Sequence, residues 1–184
     1  MGWLDFFKKN KEKEPDPLTG LTLSNLKIGY MVDYDMKTWE VKAYHYYDWG
    51  AGELSHEWQL ESADDTLYLE READDEDEWG VSRKISVGRL GPGIKGHIIK
   101  KDNPPDEITF EETTYYLEES GSGYFFKDGK GSGNKFFVWD YEDDSGKKFI
   151  SIERWGENDF EASAGIMVEE YQFTDILPVE KDIE

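Results

Sequence analysis

From Leu21 onward the chain is a succession of short stretches rich in aromatic and β-branched residues, each followed by a polar or glycine-containing turn. The first example is LKIGYMVDYDMKTWEV, in which the turn DMK divides two runs, and later examples are SHEWQLES, TLYLERE, NKFFVWDYE and KKFISIERW. Short alternating stretches at regular spacing are typical of sandwiches and barrels. The pattern predicts an all-β fold of two small β units in tandem, built as an SH3-like barrel or a sandwich.

The two halves of the chain resemble each other. LYLEREADDEDEWGVSRKI and ISIERWGENDFEASAGI both contain Glu-Arg (Glu70-Arg71 and Glu153-Arg154), followed by an acidic turn, an aromatic residue, a serine and an isoleucine. Neighbours on a strand point to opposite faces, so we expect each arginine to lie across a sheet surface in a structural role. Either a duplicated β unit of about 80 residues or the general likeness of amphipathic hairpins accounts for the resemblance.

These observations predict five segments along the chain. Residues 21–95 form the first β unit, residues 96–178 the second, and residues 179–184 a tail. Residues 1–14 are the best candidate for a helix, and residues 15–20 form a linker in which two prolines and a glycine end that helix.

The N-terminal segment is amphipathic at helical spacing. Its apolar face carries Trp3, Leu4, Phe6 and Phe7, and Lys8 and Lys9 lie on the other face. These six residues are the predicted docking site for a membrane or for the groove of a partner protein. Packing of the segment back onto its own β body is the alternative.

The chain is strongly acidic, with 42 Asp and Glu against 21 Lys and Arg and a net charge of -21. Seven Trp, eleven Tyr and ten Phe nevertheless favour a folded protein, because disordered chains are poor in aromatic residues. Such a body repels nucleic-acid backbones, so direct nucleic-acid binding is not expected. No stretch approaches the roughly 20 apolar residues of a membrane span. We expect a cytoplasmic protein with peripheral contact at the inner face of the membrane.

Motifs for chemistry are weak in this sequence. The absence of cysteine excludes disulfides and thiolate metal sites, and the acidic run at residues 74–78 does not fit the spacing of an EF-hand. His45 and His56 flank a presumed hairpin, but a zinc site needs further ligands, and none is evident. KDGKGSGNK lacks the spacing of a phosphate-binding loop. We therefore predict no catalytic residue, no cofactor and no metal site.

The stretches LKIGYMVDYDMKTWEVKAYHYYDW, YYLEESGSGYFF and WDYEDDSGKKFISIERWGENDFEASAGIMV resemble an uncharacterised bacterial family, domain of unknown function 4178. The resemblance covers about residues 21–178, and its motifs are structural rather than catalytic. It implies a compact cytoplasmic β domain and a link to membrane-stress proteins, whose genes often lie near those of the family. It supplies no activity and no catalytic residues.

Three functions are compatible with these features. The preferred hypothesis is a non-enzymatic adaptor whose β body binds a protein partner while residues 1–14 dock at the membrane surface. The second is an acidic mimic of nucleic acid that binds a DNA- or RNA-binding protein. The third is a small-ligand-binding or enzymatic β domain with an aromatic cleft, for which Trp39, Tyr44, Trp58 and Trp139 are the candidates, although packing in a core is the more ordinary role for such residues.

Overall fold

The computed structural model describes residues 20–73 and 76–178. In these ranges the chain forms eleven strands and one α-helix, and the prediction of an all-β protein is confirmed. The strands are β1 (Met31–Tyr34), β2 (Lys37–Gly50), β3 (Glu53–Glu61), β4 (Thr66–Ala73), β5 (Asp77–Ile85), β6 (Glu107–Phe110), β7 (Thr113–Phe126), β8 (Asn134–Asp143), β9 (Lys148–Arg154), β10 (Phe160–Val168) and β11 (Thr174–Leu177). The helix is α1 (Ile94–Lys101), and 3₁₀ turns lie at Leu23–Asn25, Val87–Leu90, Lys127–Gly129 and Glu170–Gln172.

All eleven described strands belong to one antiparallel sheet, in the order β11-β1-β2-β3-β4-β5-β10-β9-β8-β7-β6. An additional pairing of β2 with β7 joins Tyr46 to Phe126, Tyr47 to Phe125 and Asp48 to Tyr124. This pairing closes β2, β3, β4, β5, β10, β9, β8 and β7 into a barrel of eight strands, which we call the closed ring. The strands therefore share one sheet, and an SH3-like barrel is not confirmed.

The ring strands belong to two meanders, β1–β5 and β6–β10, and each meander begins with a tight turn. The β1–β2 turn places both Asp35 and Met36 at positive φ (48° and 60°), and the β6–β7 turn does the same with Glu111 and Glu112 (47° and 64°). Two consecutive residues at positive φ give the backbone twist that matches the twist of antiparallel strands. The same turn thus begins both meanders.

The strand register relates the two meanders by an approximate two-fold axis. Between β5 and β10, Arg83 pairs with Ala164, and the flanking pairs are Ser82 with Gly165 and Lys84 with Ser163. A two-fold axis at the pair of Arg83 and Ala164 makes the other two pairs equivalent, so that Ser82 of β5 corresponds to Ser163 of β10. The repeat found in the sequence relates the same two serines. The division into a unit at 21–95 and a unit at 96–178 stays a prediction, and its boundary falls inside α1.

Two apolar clusters pack on the outside of the closed ring. The first outer cluster joins Trp58, Leu60, Leu67 and Leu69 of the ring to residues of β1 and of the segments around β1 and β11, among them Leu23, Leu26, Val32 and Phe173. The second outer cluster joins Trp139, Tyr141, Ile150 and Ile152 of the ring to Ile94 and Ile98 of α1 and to Ile108 and Phe110 of β6. Elements outside the ring thus cover it on both sides.

Helix α1 is a feature that the sequence pattern did not predict. Ile94 and Ile98 are buried one turn apart against the second outer cluster, and Asp102 ends the helix in the left-handed conformation (φ 57°). Eight residues with a central glycine give little periodic signal, so tertiary packing decides this helix. In the described part of the chain, α1 included, the structure contains no helix with the length and apolarity that a membrane crossing requires.

Candidate binding cavity inside the ring

The inner face of the closed ring carries both polar and aromatic side chains and encloses a cavity of about 200 Å³. A small apolar cluster of Tyr47, Phe136 and Val138 lies on this face beside the cavity. Because successive side chains on a strand point to opposite faces, the strands that send Trp58, Leu69 and Ile152 outward send Glu57, Glu70 and Glu153 inward. The polar residues that line the cavity include Ser55, Glu57, Glu70, Asp140, Ser151, Glu153 and Ser163. We refer to Glu57, Glu70, Asp140 and Glu153 as the inner carboxyls.

Tyr47 links two of the inner carboxyls. Its hydroxyl donates to Oε2 of Glu57 at 3.1 Å and lies 3.4 Å from Oε1 of Glu153. Glu57 and Glu153 are only 4% and 8% exposed. Oε2 of Glu153 is buried and has no hydrogen-bond partner in the described part of the chain; Nζ of Lys84 lies 3.5 Å away, which suits an ion pair but is too long for a strong hydrogen bond. This oxygen therefore has an ion-pair partner but no close hydrogen-bond donor among the described residues.

The other two inner carboxyls are held by serines. The Ser82 hydroxyl donates to Oε1 of Glu70 at 2.9 Å, and the Ser151 hydroxyl donates to Oδ1 of Asp140 at 2.5 Å. Glu70 is half-buried by surface area because it faces the cavity, although protein surrounds it on all sides. Each serine orients one carboxyl oxygen and leaves the other for the cavity.

Burial changes the protonation of these acids. Desolvation, with repulsion from Glu153 and against the attraction of Lys84, raises the pKa of Glu57 to about 7. Desolvation together with the charge of Glu57 raises the pKa of Glu70 to about 8, and desolvation raises the pKa of Asp140 to about 7. Desolvation also raises the pKa of Glu153, against the attraction of Lys84. The interior therefore favours the protonated form of its carboxyls more than water does, because it provides little positive charge to stabilise four carboxylates.

Lys84 is the one Lys or Arg among the described residues that line the cavity. Its ammonium lies 3.0 Å from Oε2 of Glu161 and 3.5 Å from Oε2 of Glu153. Burial opposes its charge, but the neighbouring carboxylates outweigh burial and raise the pKa of Lys84. Lys84 also lines a cleft at the other end of the ring, together with His45, Lys127 and Glu161. The lysine therefore enters the interior from that end.

The opposite end of the cavity is lined by five exposed glutamates, one of which is Glu118. We call the other four, Glu72, Glu78, Glu119 and Glu142, the acidic mouth. They come from β4, β5, β7 and β8. Burial raises the pKa of Glu72, and the charges of Glu78, Glu119 and Glu142 raise it further, so the four groups are close enough to repel one another. The entrance thus carries a strong negative potential.

Aromatic and glycine residues shape the walls. Phe149 lies against Gly80 and Gly165, where a Cβ atom on Gly165 would collide with the Phe149 ring and approach the Val81 carbonyl oxygen to 2.5 Å. Trp49 donates from Nε1 to the Ser55 hydroxyl at 2.9 Å, which fixes its ring at the cavity wall. The cavity therefore alternates carboxyl groups with apolar surface.

The sequence comparisons agree with the resemblance stated from the sequence. The family model "Domain of unknown function (DUF4178)" matches residues 27–170. The chain belongs to this family. It is also 29% identical over 182 residues to an uncharacterized protein of Aquifex aeolicus (strain VF5), an alignment that covers 97% of this chain and 99% of the relative. No solved structure matches the chain.

In this DUF4178 protein the two histidines do not form a metal pair. His45 pairs with Glu57, whereas His56 pairs with Tyr46, so the two rings point to opposite faces of the sheet. Nδ1 of His45 accepts a hydrogen bond from the Asp128 backbone N–H at 2.9 Å. In residues 20–73 and 76–178, no group of three or more His, Asp or Glu side chains is placed to hold a metal ion.

The predicted docking residues Trp3, Leu4, Phe6, Phe7, Lys8 and Lys9 lie outside the described residues. The aromatic candidates do not form one cleft: Trp39 and Trp58 are buried in the first outer cluster, and Trp139 is buried in the second. Tyr44 packs against the first cluster. The inner carboxyls were missed as a site, although the repeated Glu-Arg pairs placed Glu70 and Glu153 on one face of their strands.

Proposed function

We propose that this DUF4178 protein is a non-enzymatic binding protein for a small cationic ligand, which it holds in the cavity of the closed ring. The observation that carries the proposal is Oε2 of Glu153, which is buried among three further carboxyls without a close hydrogen-bond donor among the described residues, and whose ion-pair partner Lys84 lies 3.5 Å away. Ionised carboxyls in such an interior cost free energy and take up protons instead. A bound cation would add positive charge and would favour their ionised form.

The acidic mouth supports the same proposal. A mouth lined by charges of one sign, set in low-dielectric walls, concentrates ions of the opposite sign. Four glutamates at the entrance therefore attract a cation to the interior and repel anions such as nucleotides. Exposed glutamates at the entrance and buried carboxyls behind them would lead a cation from the solvent into the cavity.

The approximate symmetry of the two meanders also supports a cation site inside the ring. Glu70 on β4 and Glu153 on β9 hold equivalent places in the two halves, as do Ser82 and Ser163. We propose that duplication of one β unit brought two copies of an inward-facing carboxyl to the same axis. Neither copy alone would enclose a cavity, because the ring needs strands from both halves.

The adaptor hypothesis concerns another part of the chain and stays a prediction. Its six docking residues belong to a segment outside the described residues. They are Trp3, Leu4, Phe6, Phe7, Lys8 and Lys9. Protein partners and contact with the membrane surface are compatible with a ligand-binding body, which would make the adaptor responsive to its ligand.

Calorimetric titration of the full chain with n-butylammonium and with Ca²⁺, each at constant ionic strength, tests the proposed function. We expect saturable binding of one cation by the wild type and at least tenfold weaker binding by Glu153→Gln. Glu170→Gln is the matched control, because it removes the same charge from an exposed 3₁₀ turn away from the cavity. Equal binding by both variants, or no binding of either cation, would refute the proposal.

A further inference from the structure

We propose that the closed ring binds its cation in exchange for a proton, so that an inner carboxyl loses a proton to the solvent when a cation enters. This inference rests on the proposed function and specifies how the same site is regulated. Three observations lead to it: the access of each inner carboxyl to the cavity, the number of hydrogen-bond donors that these carboxyls share, and the small amount of positive charge around them.

Glu70 and Asp140 are the inner carboxyls that a cation can reach. Both keep part of their surface at the cavity, whereas the other two are almost completely covered. Ser82 donates to Oε1 of Glu70, and Ser151 donates to Oδ1 of Asp140. The second oxygen of each carboxyl accepts no hydrogen bond from the described residues. A cation can therefore bind at Glu70 or Asp140 without uncovering the buried oxygen of Glu153.

The Tyr47 hydroxyl connects the two covered carboxyls through a single hydrogen atom. Its oxygen lies 3.1 Å from Oε2 of Glu57 and 3.4 Å from Oε1 of Glu153. One hydroxyl hydrogen makes one strong hydrogen bond, and a carboxylate has no proton to donate in return. The second contact becomes a strong hydrogen bond only when one of the two carboxyls is protonated. The geometry therefore fits a pair of carboxyls that holds a proton.

The groups that face the inner carboxyls supply little positive charge. Lys84 on β5 lies 3.5 Å from Glu153 but is closer to Glu161 on β10, at 3.0 Å. Burial lowers the pKa of His45 and of His56, so both histidines are mostly neutral at pH 7. The remaining titratable groups around the cavity and the cleft at its far end are the acidic mouth, Glu118, Tyr47, Tyr68, Tyr141, Lys127, Lys135 and Asp159.

A proton and a cation are therefore alternative ways to neutralise an inner carboxyl. A neutral carboxyl costs less free energy to bury than a carboxylate, and a nearby positive charge reverses this preference. When a cation binds, the O–H bond of the carboxyl breaks, the carboxylate pairs with the cation, and the proton passes to the buffer. Desolvation raises the pKa of Asp140 to about 7 and, with the charge of Glu57, that of Glu70 to about 8. The exchange therefore falls near neutral pH, and acidification releases the cation.

Calorimetry in two buffers counts the protons that are released. The full chain is titrated at pH 7 and constant ionic strength with n-butylammonium, or with Ca²⁺ if only Ca²⁺ binds, in PIPES and in HEPES, whose ionisation enthalpies differ. The difference between the two observed binding enthalpies gives the number of protons released for each cation. We expect roughly 0.5–1 proton at pH 7, and binding at least about fivefold weaker at pH 6 than at pH 8.

Two variants locate the proton. Glu70→Gln keeps the shape of the side chain but has no carboxyl to ionise, so we expect it to release at most about half as many protons as the wild type at pH 7. Glu78→Gln is the matched control, because it removes an exposed glutamate at the entrance. We expect it to weaken binding equally at pH 6 and pH 8 and to release as many protons as the wild type. The wild-type measurements test the exchange even if Glu70→Gln does not fold.

Each contrary outcome is decisive. Binding without proton release, at an affinity that is the same at pH 6 and pH 8, would overturn the exchange and leave the proposed cation site standing. Proton release that is lost in Glu78→Gln and kept in Glu70→Gln would place the proton at the entrance, and would also overturn the exchange. If neither cation binds to the wild type between pH 6 and pH 8, the proposed function is refuted and the exchange with it.

Discussion

The outer and inner faces of the closed ring are made by alternate residues of the same strands, yet their chemistry is opposite. On β9, Ile152 is fully buried among isoleucines and aromatic rings, while its neighbour Glu153 is buried beside other carboxyls. Apolar burial stabilises the fold by about 25 cal/mol per Å², whereas a buried acid costs free energy unless it is paired. Most of the apolar burial therefore lies outside the ring, in the two outer clusters, and the inside holds the carboxyls beside a smaller apolar cluster.

This arrangement explains why β1, β6, β11 and α1 are present at all. They add nothing to the closure of the ring, but they cover its outer apolar face and so create the two outer clusters. The apolar cluster inside the ring, made by Tyr47, Phe136 and Val138, is small. The covering elements complete the two larger apolar clusters.

The largest expected effect is a difference in stability between substitutions at two adjacent residues, Ile152 on the outer face of the ring and Glu153 on its inner face. We expect Ile152→Ala to lower the free energy of unfolding by about 2–5 kcal/mol, because it opens a hole in the second outer cluster. Glu153→Gln should change it by less than about 1 kcal/mol at pH 7, since the amide keeps the shape without the charge. Urea unfolding measures both. An equal loss in the two variants would show that the inner carboxyl is structural and would break the comparison.

A smaller effect depends on pH. The folded-state pKa of Glu70 is raised to about 8 from an ordinary value of 4.5, so between these values the folded state binds more protons than the unfolded state. The contribution of protonated Glu70 to the stability of the folded state is fully present below pH 4.5, and it is lost as the pH rises towards 8. We expect Glu70→Gln to match the wild type at pH 5 and to be more stable by roughly 1–3 kcal/mol at pH 8.5. Urea unfolding at both pH values measures this difference.

The general repulsion of an acidic chain acts in the same direction, so this experiment needs a control. Glu170→Gln removes an exposed charge and reports the general effect alone. If Glu70→Gln gains no more stability at pH 8.5 than Glu170→Gln does, Glu70 is solvated and burial does not raise its pKa.

The strands were predictable because alternation and turn residues are local signals. Alternation also placed Glu70 and Arg71 on opposite faces of β4, as the structure has them. It did not show which face is enclosed, because that depends on the pairing of β2 with β7, and three residue pairs between distant strands leave no local trace. Closure of the ring is what makes this face an interior.

The candidate site also depends on the pairing of β2 with β7, so local sequence patterns did not reveal it. Glu57 and Asp140 look in the sequence like ordinary polar positions of amphipathic strands, and an acidic chain offers many of them. Their separate locations on β3 and β8 become one cavity only in three dimensions. The repeated Glu-Arg pair was the single local sign that Glu70 and Glu153 hold equivalent positions.

The most direct test is a carbon-detected NMR titration of the side-chain carboxyls of the full chain between pH 4 and 9, with and without n-butylammonium. Glu57→Gln and Glu70→Gln assign the signals. The account predicts that the free protein contains carboxyls with pKa values of about 7 for Glu57 and about 8 for Glu70, and that the bound cation lowers both because an added positive charge favours the carboxylates. Titration of every carboxyl near its ordinary value, or pKa values that the cation leaves unchanged, would contradict it.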